Sequence, residues 1–403
     1  MKKLMMVFLF SITLSFFFLI SILEYGYSKV RGVTYDSVKV GAIIAATGIG
    51  SDSWIPMCTG TKSYIRMLND AGGIHGRKIK YIVEDDRYTI PLALTCFKKL
   101  IFRDKIFILQ GASGVGGTAA IFPLVEKEKV PLLGVSTEKR LFFPPKKYMF
   151  GFMVWYDDQA QIVLEYIMND LKIKNPNIVL MYPDVLSGKE SREAMRELVK
   201  KYPIKKYDEI IYPLFSVDFT TEALRLKRIN PDVVYLHAIV ATSGLIVKLA
   251  RSAGFKAPII MNQYAAASPK TVTVAGKKAI NLYGINAFGT WDENSPGINK
   301  LKSISMKYYQ NCPFRKSKDT NYVQGWLIGL LLHEGLKNAG RKLNEESFLK
   351  GMEAIRNFDT QGICGVISFG PNDHKSIEEH RIHKADLNKM EFIPITKWRN
   401  PNN

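Results

Sequence analysis

The chain has 403 residues, long enough for two ordinary hydrophobic cores. Hydrophobic residues make up 47% and charged residues 23%, with no low-complexity tract or short-period repeat, which speaks against disordered and solenoid architectures. The formal net charge is +19, but lysine and arginine are scattered without an arginine-rich arm. The charge therefore reads as a solvated basic surface facing anionic lipid or acidic ligands, not as a nucleic-acid footprint.

Met1, Lys2 and Lys3 open a positive stretch, and residues 4–23 are almost wholly apolar before polarity returns at Glu24. Gly26 and Ser28 are small residues spaced like a cleavage site, which predicts a signal peptide over 1–28. The apolar run is also long enough to span a bilayer as an uncleaved anchor. Removing residues 1–28, with two lysines and one glutamate, leaves +18. No second apolar stretch of spanning length follows, so the remainder reads as soluble and exported, on the outer face of the membrane or in the periplasm.

From Val38 a repeating pattern begins. VKVGAIIA at 38–45 is a short β-rich run, followed by a Gly/Ser loop and a helix near 56–69 with Pro56 in its first turn. Ala71, Gly72 and Gly73 end that helix. The alternation at 78–85 predicts a strand, 91–102 a helix, 105–111 a buried strand, 116–129 a helix and 130–136 a fourth strand. The pattern then restarts with a strong amphipathic helix at 157–171, capped by Asp157 or Asp158. Strands follow at 177–184, 209–213, 231–238 and 257–263, with helices at 187–201, 220–228 and 244–253. The tail adds a helix at 322–338 and strand-like pieces after Gly365. Strands alternating with helices of this length imply βαβ units, so the fold class is α/β: two similar lobes with mostly parallel sheets flanked by helices. Ligands bind outside the carboxyl ends of such strands, and two facing sheets make a cleft between lobes.

The four cysteines, Cys58, Cys96, Cys312 and Cys364, allow three disulfide connectivities, and export permits bridges to persist. Cys58–Cys96 and Cys312–Cys364 are the expected pairs, because each would lie within one lobe. His374, His380 and His383 stand near Asp373, Glu378 and Glu379, but a strand there turns His380 and His383 to opposite faces. That stretch reads as a solvated tail, and no metal is expected.

LNDAGGIHGRKIKYIVEDD at 68–86 resembles the helix–turn–strand signature of the type I periplasmic binding proteins, which include the leucine/isoleucine/valine-binding receptors of ABC transporters. The pairs Thr47-Gly48 and Thr59-Gly60 have that family's separation, and KVPLLGVST, DVVYLHA and LARSAGFKAPII follow in its order, to near the C-terminus. The resemblance implies a receptor that binds a small molecule, is not an enzyme, uses no cofactor and delivers its solute to an ABC permease. It implies three crossings between lobes, with lobe 1 at 36–153 plus 289–365 and lobe 2 at 154–288 plus 366–403. A retained N-terminal anchor would instead suit a ligand-sensing module that signals through a partner.

GASGVGGT at 111–118 lies between a strand and a helix, where glycine permits close backbone approach and the helix start presents unpaired N–H groups. The resemblance places ligand contacts here, near Ser113, Gly114, Val115 and Thr118. The stretch also matches GxGxxA through Gly114, Gly116 and Ala119, with Glu138 where a ribose acid would sit, but it is not in the first βαβ unit and an exported protein has little access to NAD. Val115 stands where a serine-hydrolase elbow requires glycine.

By the same resemblance, the loop with Ser136, Thr137 and Glu138 meets the ligand, and Glu138 replaces a usual threonine. Trp155 and Tyr156 stand at the entry to lobe 2, with Trp54 opposite, as aromatic cover for an apolar or planar ligand. Ser187 and Ile239, the latter just beyond His237, each replace a tyrosine of the amino-acid binders. Gln263 replaces the acid that pairs with the ligand's ammonium group, and an amide is a poor partner for a desolvated ammonium. Asp184 and Glu138 are the alternative ammonium partners, and Phe288 sits near the second crossing. The expected ligand is accordingly an amino acid, an amide or a carboxylate.

Overall fold

The computed structural model describes residues 30–309 and 313–401. The expected signal peptide and Cys312 lie outside them. Among the described residues no helix is long and apolar enough to cross a membrane.

Five short strands, β1 (Ser37–Ile44), β2 (Lys78–Asp85), β3 (Ile108–Gln110), β4 (Leu132–Gly134) and β5 (Met149–Gly151), form an all-parallel sheet in the order β2-β1-β3-β4-β5. Helices cover both faces, so β1 is apolar along almost its whole length instead of alternating. The second sheet holds β6 (Asn177–Pro183), β7 (Lys206–Tyr212), β8 (Val233–Leu236), β9 (Ile259–Met261), β10 (Leu282–Asn286), β11 (Arg381–Asp386) and β12 (Glu391–Pro394). Its order is β12-β11-β10-β9-β8-β6-β7, parallel from β7 to β10 and antiparallel at β10–β11 and β11–β12. This is the mostly parallel α/β architecture the alternation predicts.

Between β10 and β11 the chain packs on the first sheet. Leu301, Tyr322, Trp326, Leu331 and Phe348 share a core with Val40, Phe97 and Leu109, and Ile367, Phe369 and Ile377 join it. The central contact crosses helix Ser51–Asp70 with helix Thr320–Ala339. Gly60 and Gly325 sit where the two backbones meet, facing Tyr322 O and Met57 O. The Tyr322 hydroxyl bonds Ser63 Oγ at 2.6 Å and Ser305 Oγ at 2.7 Å, tying a third helix to the crossing.

Several local expectations are corrected. The periodicity at 91–102 and 157–171 continues through single π-turns, Lys99–Arg103 and Tyr166–Asp170, after α-helices that end at Lys98 and Glu165. Trp155, not Asp157 or Asp158, is the N-cap of helix Tyr156–Glu165, and the two aspartates sit in its first turn. β5 and β10 are not among the expected strands, and in β5 three residues are too few to show alternation.

Cys58 and Cys96 are buried free thiols, not a disulfide. Cys58 neighbours Tyr81 and Cys96 neighbours Glu84, which project from opposite faces of β2. The sheet itself therefore lies between them. Cys364 is also free and buried, and burial pushes its thiol up to about 12.

His374, His380 and His383 are not in a solvated tail. All three are buried: His383 lies in β11, an interior strand between β10 and β12, His380 pairs with Arg399 just before that strand, and His374 stacks on Phe150 at 4.1 Å.

Candidate functional site

The carboxyl ends of the parallel strands in both sheets face one another across a narrow cleft of about 20 Å³, room for about one water. The first sheet contributes Gly50, Trp54, Tyr88, Gly114 and Val115. The second contributes Ser187, His237, Ile239 and Tyr264, and Tyr156 stands at the crossing. Bonds bridge the two sides: the Tyr264 hydroxyl donates to Val135 O at 3.0 Å, and Lys270 pairs with Asp52 at 2.7 Å.

Five helices start at this cleft: Ser51–Asp70, Gly114–Glu128, Tyr156–Glu165, Leu186–Leu198 and Val240–Ser252. None has a side-chain cap on its first N–H groups. Each N-terminus carries roughly half a positive charge, offset in the first turns of two of them by Asp52, Asp157 and Asp158, and among the described residues no cationic side chain lines the cleft. Gly114 has φ +68°, and a Cβ there would press on the Tyr88 ring at 3.0 Å.

Asp86 positions this wall. It is fully buried and accepts from Tyr88 N at 2.9 Å, Ser113 N at 3.1 Å and the Ser113 hydroxyl. Burial raises its pKa, opposed by those donors. The imidazole of His237 is buried against the Tyr156 ring, 4.9 Å away, and desolvation lowers it to about 3. It is therefore neutral, and its Nδ1 has no hydrogen-bond partner.

Seven residues singled out in the sequence meet in the cleft: Trp54, Gly114, Val115, Tyr156, Ser187, His237 and Ile239. Thr137, Glu138 and Trp155 line a second cavity instead. The other six line neither. Ser113 spends its hydroxyl on Asp86, and Thr118 bonds Gly114 O inside its own helix. Ser136 accepts from Glu138 N at 3.4 Å, and Asp184 pairs with Lys189 at 3.2 Å. Phe288 packs in the first core. Gln263 turns away, its N–H donating to Gln159 at 3.0 Å and its side-chain oxygen buried without a partner. Tyr264, one residue on, occupies the cleft instead. Sequence reasoning missed Tyr264 and Tyr88; both adjoin stretches it did mark, the Gln263 position and the VEDD strand.

A family model described as periplasmic binding protein matches residues 37–389. The chain belongs to the periplasmic binding protein family. Within it, a Pseudomonas aeruginosa amino acid binding protein is 23% identical over 274 residues, 64% of this chain and 70% of that one. A Salmonella typhimurium Leu/Ile/Val/Thr-binding protein is 25% identical over 66% of this chain and 73% of its own. Among solved structures, a valine-bound branched chain amino acid ABC transporter protein from Thermus thermophilus matches with TM-score 0.82 at 23% identity, covering 91% of this chain and 97% of that one. A fatty acid ABC transporter substrate-binding protein from Thermomonospora curvata matches at 0.81 and 19%, covering 93% and 95%. These relatives and neighbours are binding proteins, not enzymes, and this chain is a type I periplasmic binding protein with a solute-binding role.

The second cavity of this periplasmic binding protein, about 600 Å³, opens beside the crossing at Trp155. Arg140 bonds Glu138 at 3.1 Å and also reaches Glu190 on helix Leu186–Leu198, joining the two sides. Burial, with Glu138 alongside, pushes the Glu190 carboxyl up to about 7. Lys375 lies over the Trp155 ring at 4.9 Å and pairs with Asp158 at 2.9 Å. The cavity is thus laced by ion pairs among its own lining residues, whereas among the described residues no charged side chain lines the cleft.

Proposed function

We propose that this protein is the exported solute receptor of an ABC importer, capturing a small molecule in the cleft and handing it to a membrane permease. The observation that supports this is the facing of two sets of strand carboxyl ends, with five uncapped helix starts between them. The lobes hinge where the chain crosses between sheets: before Tyr156, after β10 and, later than the expected boundary at 366 because Ile367, Phe369 and Ile377 pack in the first core, between Ile377 and β11. Opening breaks the Tyr264–Val135 and Lys270–Asp52 bonds, admits the solute, and closure buries it again. The names of the curated relatives bring branched-chain amino acids into consideration as solutes, and that of one structural neighbour brings fatty acids.

The test is a thermal-shift screen of the exported protein against amino acids, amides, ureas and carboxylates. A true solute at about a hundred times its dissociation constant stabilises by about 2.7 kcal/mol. Gly114→Ala, which puts a methyl group between the helix start and Tyr88, is expected to weaken the same solute about tenfold or more while the free protein still folds. No shift with any class, or an unchanged affinity in Gly114→Ala, removes the cleft as the binding site.

A further inference from the structure

We infer that the solute is an organic anion without an ammonium group: a carboxylate on a flat or apolar body, held between the aromatic side chains with its charge on the helix starts. This rests on the receptor reading above and narrows it.

The cleft offers much to an anion. Gly114 and Val115 open one helix, Ser187 lies in the first turn of another, and Ile239 is the N-cap of a third. Backbone N–H groups without side-chain caps are the recurring anion site of proteins. An independent observation points to a ligand as well. His237 is 2% exposed, lines the cleft and has an Nδ1 without a partner. Its neutral ring offers one N–H donor, one acceptor nitrogen and no charge to repel or pair.

The cleft offers an ammonium aromatic faces but no counter-charge. Among the described residues, no carboxylate lines it. The neighbouring acids are engaged elsewhere: Asp86 by Tyr88 and Ser113, Asp52 by Lys270, Asp184 by Lys189. Glu138 faces the second cavity and is clamped by Arg140. A buried ammonium without a counter-charge is strongly disfavoured, and the positive helix ends make it worse. Trp54, Tyr88, Tyr156 and Tyr264 supply aromatic faces for the rest of the molecule.

Calorimetry on the exported protein decides this with matched probes: 3-phenylpropanoate, phenylalanine and phenethylamine, then 4-methylpentanoate and leucine. Each carboxylate is expected to bind about tenfold or more tighter than its amino-acid partner, and the amine not at all, as the loss of a charge-assisted contact predicts. His237→Phe should weaken the carboxylate about tenfold. Ile239→Asp places an acid at an N-cap, where it favours folding, and should reverse the preference toward the amino acid. Tighter binding of leucine or phenylalanine by the unaltered protein overturns the anion assignment and leaves the receptor reading standing. Silence from all five probes also overturns the assignment. The receptor reading itself falls only if the wider solute screen is silent too.

Discussion

Gly325→Ala is expected to destabilise the protein by about 3 kcal/mol, near the upper end for overpacking a tight interior. A Cβ at Gly325 would overlap Met57 O, and one at Gly60 would overlap Tyr322 O, so the two glycines clear the same crossing from opposite sides. In both cases the obstacle is main chain, which cannot rotate away as a side chain does. Helices Ser51–Asp70 and Thr320–Ala339 would have to separate, loosening the T-shaped Tyr64–Trp326 contact at 4.8 Å and the Thr61 bond to Gly325 O at 2.9 Å. Helix Thr320–Ala339 is also central to the segment between β10 and β11 that packs on the first sheet, so the loss should appear as an earlier melting transition. Gly72→Ala is the control: Gly72 has positive φ but open space around it, so only the smaller backbone strain is expected. Equal melting temperatures for Gly325→Ala and the unaltered protein would mean that the helices do not approach this closely.

Acidification is expected to destabilise the protein through its buried imidazoles. Burial lowers His237 and His380 to about 3, and His383 well below its ordinary value. Lys375 and Arg399 press His380 further down, opposed by a Glu378 backbone bond, and Arg381 does the same to His383. The unfolded chain takes up protons near pH 6.5 that the native protein refuses. Stability from these groups is therefore complete above about pH 6.5 and falls by about 1.4 kcal/mol per pH unit for each imidazole as the pH drops. Glu190 and Asp319, both raised to about 7 mainly by burial, act with the opposite sign: their stabilisation is present at low pH and is lost as pH rises through about 7. A difference measurement isolates the histidine contribution. His383→Phe removes a fully buried ring whose two nitrogens have no partners, so no donor or acceptor is orphaned. Its melting temperature between pH 7.5 and 4.5 should fall less steeply than that of the unaltered protein. Parallel profiles would show that His383 does not carry the acid sensitivity.

The strands and helices were legible where burial leaves a periodic mark over several turns. The 78–85 alternation became β2 at the same residues, and the amphipathic run at 157–171 became a helix continued by a π-turn. Helices Pro296–Tyr308 and Glu345–Glu353 are not among the expected elements although both carry local start signals: Ser295 before Pro296, and Asn344 paired with Ser347 in a capping box. Those signals are two or three residues long and recur by chance. β11 and β12 show only as strand-like pieces, because the hairpin they form joins the parallel sheet through β10, a partner strand far away in the chain.

The sequence by itself determined that two mostly parallel α/β sheets would form and that glycine-rich and aromatic loops would lie at their strand ends, since short apolar strands between amphipathic helices have few other ways to be buried. It also marked seven residues of the cleft. Only the tertiary structure decided which neighbours turn inward. Tyr264 enters the cleft and Gln263 does not, because Gln159 holds the Gln263 backbone N–H and the Tyr264 hydroxyl finds Val135 on the opposite sheet. Ser113 is withdrawn by Asp86, and Cys58 and Cys96 stand on opposite faces of β2. Such choices rest on hydrogen bonds and contacts between residues far apart in the chain, and a one-residue step in a loop or strand reverses them without changing any local pattern.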